Sequence, residues 1–288
     1  MVNVMDLFRL DGKVIVATGA TGYLCSHFVE AVAQAGGSLA MIDIPSNVDK
    51  LKELAQSLKN QYGIEVRYYM ADNSKEADIQ KVSEQIIQDF GHIDGLINAA
   101  GVNQHGSIQD YTGEDYARLM NINIVGTFLC CKYFGQYMVK QKQGSIVNIA
   151  SFTGTIVNKP PFNMSGYCTS KGGVLHLTRS VASEYGEYNV RVNSVSPGFL
   201  EKGMSNVKNF IKLNDPRVFE NSMNNTPMHR VGKPTELIGA VLYLLSDAST
   251  YTTGIDIISK KYPVNTFYSW AFPRCLRRSA QCYKITLG

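Results

Sequence analysis

The chain has 288 residues, 44% of them hydrophobic and 18% charged, which argues against a disordered or fibrous polymer and suits one large α/β domain. No apolar run approaches the roughly 18 residues of a membrane span, and the first nine residues carry an early acid and no long apolar core, so they do not read as a signal peptide. The net charge of +4 sits at one end: residues 259–288 hold Lys260, Lys261, Arg274, Arg277, Arg278 and Lys284 and no acid, so the body is mildly acidic and does not present a general nucleic-acid-binding surface.

Residues 13–17 form a short buried-strand pattern that runs into Thr18-Gly19-Ala20-Thr21-Gly22-Tyr23-Leu24-Cys25. An amphipathic helix pattern follows, with Phe28, Val29, Ala31, Val32 and Ala35 on its apolar side. Strand, glycine turn and helix is the context of a dinucleotide-binding loop, in which glycine lets the backbone approach a pyrophosphate and the helix start offers unpaired N–H groups. A second strand over residues 38–42 ends in Asp43, near the usual offset for a carboxylate that accepts hydrogen bonds from the adenosine ribose hydroxyls. That acid would repel a 2′-phosphate, and the glycine loop holds no Arg or Lys to attract one. NAD is therefore expected in preference to NADP.

Residues 48–58 read as helix, 65–71 as a third strand ending at Asp72-Asn73, 79–90 as helix, and 95–97 as a fourth strand running into Asn98-Ala99-Ala100-Gly101. Strands alternating with helices of this length predict right-handed βαβ units and a parallel sheet covered on both faces. Residues 115–140 read as one long helical stretch with Asn123 among apolar neighbours, where a buried amide needs partners. Residues 144–150 form a fifth strand that delivers Ser151 at its carboxyl end, the end at which ligands bind in open parallel sheets. A loop over 152–166 leads to Tyr167, which precedes Lys171 by four residues at the start of an amphipathic run. On a helix the two side chains share one face. A nearby ammonium favours phenolate and is expected to lower the tyrosine's pKa. With 16 tyrosines in the chain, one Tyr-x-x-x-Lys proves little alone. A sixth strand over 190–195 ends in Pro197-Gly198. The polar segment 201–230 has the character of a lid. Residues 235–246 read as a helix with Thr235 as N-cap, and 254–258 as a seventh strand.

Taken together, Thr18-Gly19 with Gly22, Asp72, Asn98-Ala99-Ala100-Gly101, Asn123, Ser151, Tyr167 with Lys171, and Pro197-Gly198 resemble the short-chain dehydrogenase/reductase family. The resemblance covers about residues 10–258 and implies a single Rossmann domain built on a doubly wound, seven-stranded parallel sheet. It divides the chain into that domain, 1–258, and an atypical basic tail, 259–288. It also implies that Tyr167 exchanges a proton with the substrate oxygen, Lys171 lowers its pKa and binds the nicotinamide ribose, and Ser151 holds the substrate oxygen. Asn123 would anchor a water linking Lys171 to solvent, and Thr153 would join Ser151 and Tyr167 in contacting substrate. The cofactor would be held by Gly19, Thr21, Gly22, Tyr23, Leu24, Asp43, Asp72, Asn73, Asn98, Ala99 and Gly101, together with Tyr167, Lys171, Pro197 and Gly198.

The 151–167 interval and the run 246–254 are similar to those of fungal sugar and polyol enzymes, which implies a polyol or ketose substrate. Other substrates for the same chemistry are a 3-oxoacyl thioester or a steroid, and a catalytically impaired cofactor-binding relative is a further reading. The resemblance further implies a cytoplasmic homo-oligomer, dimer or tetramer. The five histidines (His27, His92, His105, His176, His229) are scattered and the six cysteines show no paired metal spacing, so no metal site is expected.

The sequence departs from the family at three places. Tyr23 and Cys25 stand where glycines are commoner, and Cys25 is expected to displace the first helix and weaken cofactor binding. Residues 199–202 replace the usual threonine near the carboxamide. The tail from Ser259 onward matches nothing in the family.

Overall fold

The computed structural model describes residues 3–156, 163–201, 223–224 and 226–259. Seven strands, β1 (Val14–Thr18), β2 (Ser38–Asp43), β3 (Val66–Met70), β4 (Gly95–Asn98), β5 (Gly144–Ile149), β6 (Val190–Ser196) and β7 (Asp256–Ile258), form one sheet in the order β3-β2-β1-β4-β5-β6-β7. Every pairing is parallel, as the alternating pattern predicts. The order reverses direction between β1 and β4, and that switch opens a crevice beyond their carboxyl ends.

The five inner strands β1, β2, β4, β5 and β6 are buried on both faces and their side chains alternate between two cores, while the edge strands β3 and β7 are partly exposed. Ile15, Ala17, Leu39, Met41 and Ile97 face one layer, which includes α1 (Tyr23–Gln34), α2 (Val48–Tyr62) and α7 (Thr235–Leu245). Val16, Ala40, Ile42, Leu96 and Ile146 face the other, with α3 (Glu76–Phe90), α5 (Gly126–Gln141) and α6 (Ser165–Tyr185). The period-2 split of apolar residues is what a strand covered on both faces requires.

Two expectations are corrected. The helical stretch expected over 115–140 is broken into α4 (Gly113–Met120), a π-helical turn (Asn121–Val125) and α5. In the π turn the Gly126 N–H reaches the Asn121 carbonyl five residues back. Thr235 is the first residue of α7 and does not cap it. Pro234 occupies the capping position, and the Glu236 carboxylate reaches back to accept the Lys233 N–H at 2.8 Å. Proline suits a helix start because it lacks the N–H that would otherwise go unpaired there. The expected lid falls largely on 202–222 and 225, part of the loop before Tyr167 falls on 157–162, and the basic tail falls on 260–288. These segments lie outside the described residues.

Candidate active site

The strand ends at the switch point border a cleft of about 560 Å³. Its floor begins at Gly19, whose backbone has φ +64°, a left-handed conformation that suits glycine. A Cβ there would stand 2.8 Å from the Ala100 Cα, so glycine also permits the β1 and β4 turns to close on each other. The Thr18 hydroxyl ties them by accepting the Ala99 and Ala100 N–H groups, each at 3.2 Å. Helix α1 starts after Gly22 with no side-chain cap, leaving its first N–H groups to face the cleft. These features fit the pyrophosphate of a dinucleotide. Tyr23, half-buried, lies along α1 with its ring edge-on to His27, centroids 5.5 Å apart, while still bordering the cleft. Cys25 is 1% exposed and packs into the core beside Ala20 and Phe28, where burial pushes its thiol well up.

Asp43, at the end of β2, is buried, and four protein donors meet its carboxylate. Thr21 gives its N–H (2.9 Å) and hydroxyl (2.7 Å) to Oδ2, while the Ile44 N–H and the Asn47 side-chain amide each reach Oδ1 at 2.9 Å. Sequence reasoning placed Asp43 at the cleft but missed Asn47 and Lys50, which border it too. Their positions four and seven past Asp43 on a chain entering α2 are the available signal. Arg118 from α4 also borders the cleft and was missed. Asp72 turns one carboxylate oxygen to the Ser74 N–H (3.0 Å) and hydroxyl (2.7 Å) and lines the cleft with Asn73.

Ser151 follows β5, and Tyr167 and Lys171 share the cleft-facing side of α6. Glycines let these elements meet. A Cβ on Gly172 would stand 3.3 Å from the Gly154 carbonyl oxygen, and one on Gly173 would stand 2.5 Å from Ile124 of the π turn. Helix α6 is thus wedged between the turn after Ser151 and the π turn.

The expected lowering of the Tyr167 pKa is not found. Burial pushes the phenol up to about 12, opposed by a hydrogen bond from Ser151, and burial pushes the Lys171 ammonium down to about 8. The reason is geometric. The Lys171 ammonium donates to the Ile149 carbonyl at 2.8 Å and lies 5.8 Å from the centre of the Tyr167 ring, so desolvation outweighs charge attraction.

Asn123 is 1% exposed, and its side chain makes three hydrogen bonds to protein. Its Oδ1 accepts the Val102 N–H, and its Nδ2 donates to the Val102 carbonyl and the Ser170 hydroxyl, each at 2.9 Å. Asn123 thus braces the segment after β4 against α6. Gly101 lies between them, its would-be Cβ 3.1 Å from the Asn123 Oδ1 and 3.6 Å from the Lys171 ammonium. Pro197 and Ala99 border the cleft. Asn98 lies beneath it, donating to Asn148 at 2.9 Å, and the Gly198 N–H is held by the Ser259 hydroxyl at 3.2 Å. Thr153 stands behind Ser151 and does not line the cleft.

Residues 20–260 match the family model described as enoyl-(acyl carrier protein) reductase. The chain belongs to the short-chain dehydrogenase/reductase family. It is 37% identical over 258 residues to an NADP-dependent mannitol dehydrogenase of Hypocrea jecorina, an alignment covering 89% of this chain and 94% of that one. It is 37% identical to a sorbose reductase of Candida albicans, covering 88% of each. Among solved structures, an NAD+-bound xylitol dehydrogenase superposes with a TM-score of 0.80 at 33% identity, covering 87% of this chain and 98% of that one. As a member of the short-chain dehydrogenase/reductase family the chain is an NAD(P)-dependent oxidoreductase of the alcohol dehydrogenase/ketone reductase kind.

Proposed function

We propose that the protein interconverts a secondary alcohol and a ketone on a polyol or ketose sugar, with NAD as the preferred cofactor. The observation that carries the chemistry is the meeting of Ser151, Tyr167 and Lys171 at one cleft wall. The substrate class is supported by the named activities of the mannitol and sorbose relatives. NAD preference is supported by the buried Asp43 carboxylate, which would repel a 2′-phosphate.

When bound, the nicotinamide supplies the hydride acceptor and, oxidised, a positive charge that favours phenolate. The remaining work belongs to the chain. Tyr167 takes the hydroxyl proton as the carbinol carbon gives up its hydride, leaving a ketone, and returns that proton in the reverse direction. Ser151 donates to the oxygen on which charge develops. Lys171, on the cleft wall with Tyr167, adds positive charge and would give a donor to the cofactor's nicotinamide ribose. Gly19, Thr21, Gly22, Tyr23 and Leu24 would hold the pyrophosphate, Asp43 the adenosine ribose, and Asp72 and Asn73 the adenine side. Ala99, Gly101, Pro197 and Gly198 support the nicotinamide half.

Residues 1–258 are read as the catalytic domain. A cytoplasmic setting is supported by Cys25, Cys130, Cys131 and Cys168, none of which forms a disulfide. Assembly into a homo-oligomer is supported by Val125 and Phe128, apolar, exposed and three residues apart.

Turnover against pentitols, hexitols and ketoses with each cofactor tests this reading, together with Tyr167→Phe. That variant is expected to lose nearly all turnover while binding NAD as the parent does. Full activity in Tyr167→Phe, or turnover of simple ketones with none of sugars, would reject the mechanism or the substrate class respectively.

A further inference from the structure

A serine hydroxyl has one proton to give and two lone pairs with which to accept. Both acceptor positions of Ser151 are taken by one residue. The Thr153 hydroxyl donates to the Ser151 Oγ at 2.9 Å, and the Thr153 N–H donates to the same atom at 3.2 Å. Ser151 and Thr153 are 6% and 3% exposed, so water does not compete freely for these positions. The turn that carries Thr153 is fixed from both sides. The Phe152 N–H bonds the Pro197 carbonyl at 3.3 Å, and Gly154 is pressed against the α6 backbone.

We propose that Thr153 is a positioning residue that fills both acceptor sites of Ser151, so that Ser151 can only donate to the substrate oxygen and the substrate's proton leaves through Tyr167 alone. The inference rests on the roles given above to Ser151 and Tyr167 and adds a direction to the proton's path. An alcohol hydroxyl entering the cleft finds no lone pair on Ser151 and must turn its hydrogen to the phenol oxygen. The Ser151 proton then points at the oxygen that gains charge as the C–H bond breaks. Before substrate enters, the same single proton is free to turn to the phenol oxygen across the cleft wall, where it would favour the deprotonated form. Thr153 thus acts through Ser151 and touches no reacting atom, which replaces the substrate contact expected from sequence.

Thr153→Val retains the N–H and the branched shape but removes the hydroxyl donor, whereas Thr153→Ser retains the donor. In Thr153→Val the kcat for polyol oxidation is expected to fall about tenfold, with KM within twofold and NAD binding, followed by fluorescence titration, unchanged. The acidic limb of the kcat/KM profile for oxidation should move to higher pH, since the phenolate loses support. The titratable groups packed about Tyr167 are Lys171 and Cys168 on its own helix and Tyr111 from the segment before α4, and all remain in place. Thr153→Ser should restore both kcat and the profile. The inference is overturned if Thr153→Val keeps kcat within twofold, if it loses NAD affinity in step with kcat, or if Thr153→Ser folds and does not rescue. Tyr167→Phe separates the layers: if it stays active the underlying mechanism falls, and if it is dead while Thr153→Val is normal only the role of Thr153 falls.

Discussion

A Cβ built on Gly154 would stand 2.7 Å from both the carbonyl carbon and the carbonyl oxygen of Lys171. The atoms it meets are backbone in the middle of a long helix and cannot swing aside. The glycine therefore sets the distance between the turn that carries Ser151 and the helix that carries Tyr167 and Lys171.

Gly154→Ala should push that turn off α6. Overpacking of this kind costs about 1–3 kcal/mol, read as a lowered denaturation midpoint. Because Ser151 moves relative to Tyr167, kcat/KM should fall by at least about tenfold, equivalent to about 1.4 kcal/mol. A variant that is destabilised yet keeps full kcat/KM would show that the spacing does not govern the chemistry.

Lys171 is buried and its ammonium is held down to about 8. The unfolded chain keeps this proton up to the ordinary lysine value of about 10.4. Between those two pH values the unfolded state binds the proton and the folded state does not, so stability rises with pH across that window. Lys171→Met removes the group. It should be more stable than the parent below pH 8, with the gap closing as pH rises through 8 to 10.5 and no turnover at any pH. Parallel stability curves for the two proteins would mean that the lysine is not penalised by burial.

Asp43→Asn tests the adenosine end. Losing the negative charge should weaken NAD binding and ease NADP binding, with Lys50 at the same border available to the added phosphate. The ratio of the two dissociation constants, measured by titration, should shift towards NADP by about tenfold or more, the scale of one charge-assisted hydrogen bond. An equal loss for both cofactors would leave Asp43 as an anchor for Thr21 and Asn47 only.

The seven strands and their parallel pairing, the glycine turn, Asp43, Ser151 and the Tyr167–Lys171 pair were legible in the sequence because each follows from a period or a fixed spacing. The direction of the Tyr167 shift was not, since spacing reports charge proximity and is silent on desolvation. Asn47 and Lys50 escaped because they reach the cleft only once the segment after Asp43 has turned. The π turn escaped because its sequence, Asn121-Ile122-Asn123-Ile124-Val125, fits an α-helix as readily, so nothing in the hydrophobic pattern marks a change of hydrogen-bond partner. The commitment of Thr153 to Ser151 depends on a hydroxyl orientation that no motif encodes.

The π turn between α4 and α5 has a consequence for how this gene can change. A π turn holds one residue more than the regular helix it interrupts, so the two flanking helices are out of phase by about 100°, one residue's rotation. Leu119 before it meets Tyr167, while Cys130, Phe134 and Met138 after it meet the sheet. Deleting a single codon within 121–125 would bring the flanks back into phase and turn one set of contacts outward. A one-residue deletion there is therefore expected to cost far more than a substitution at the same position.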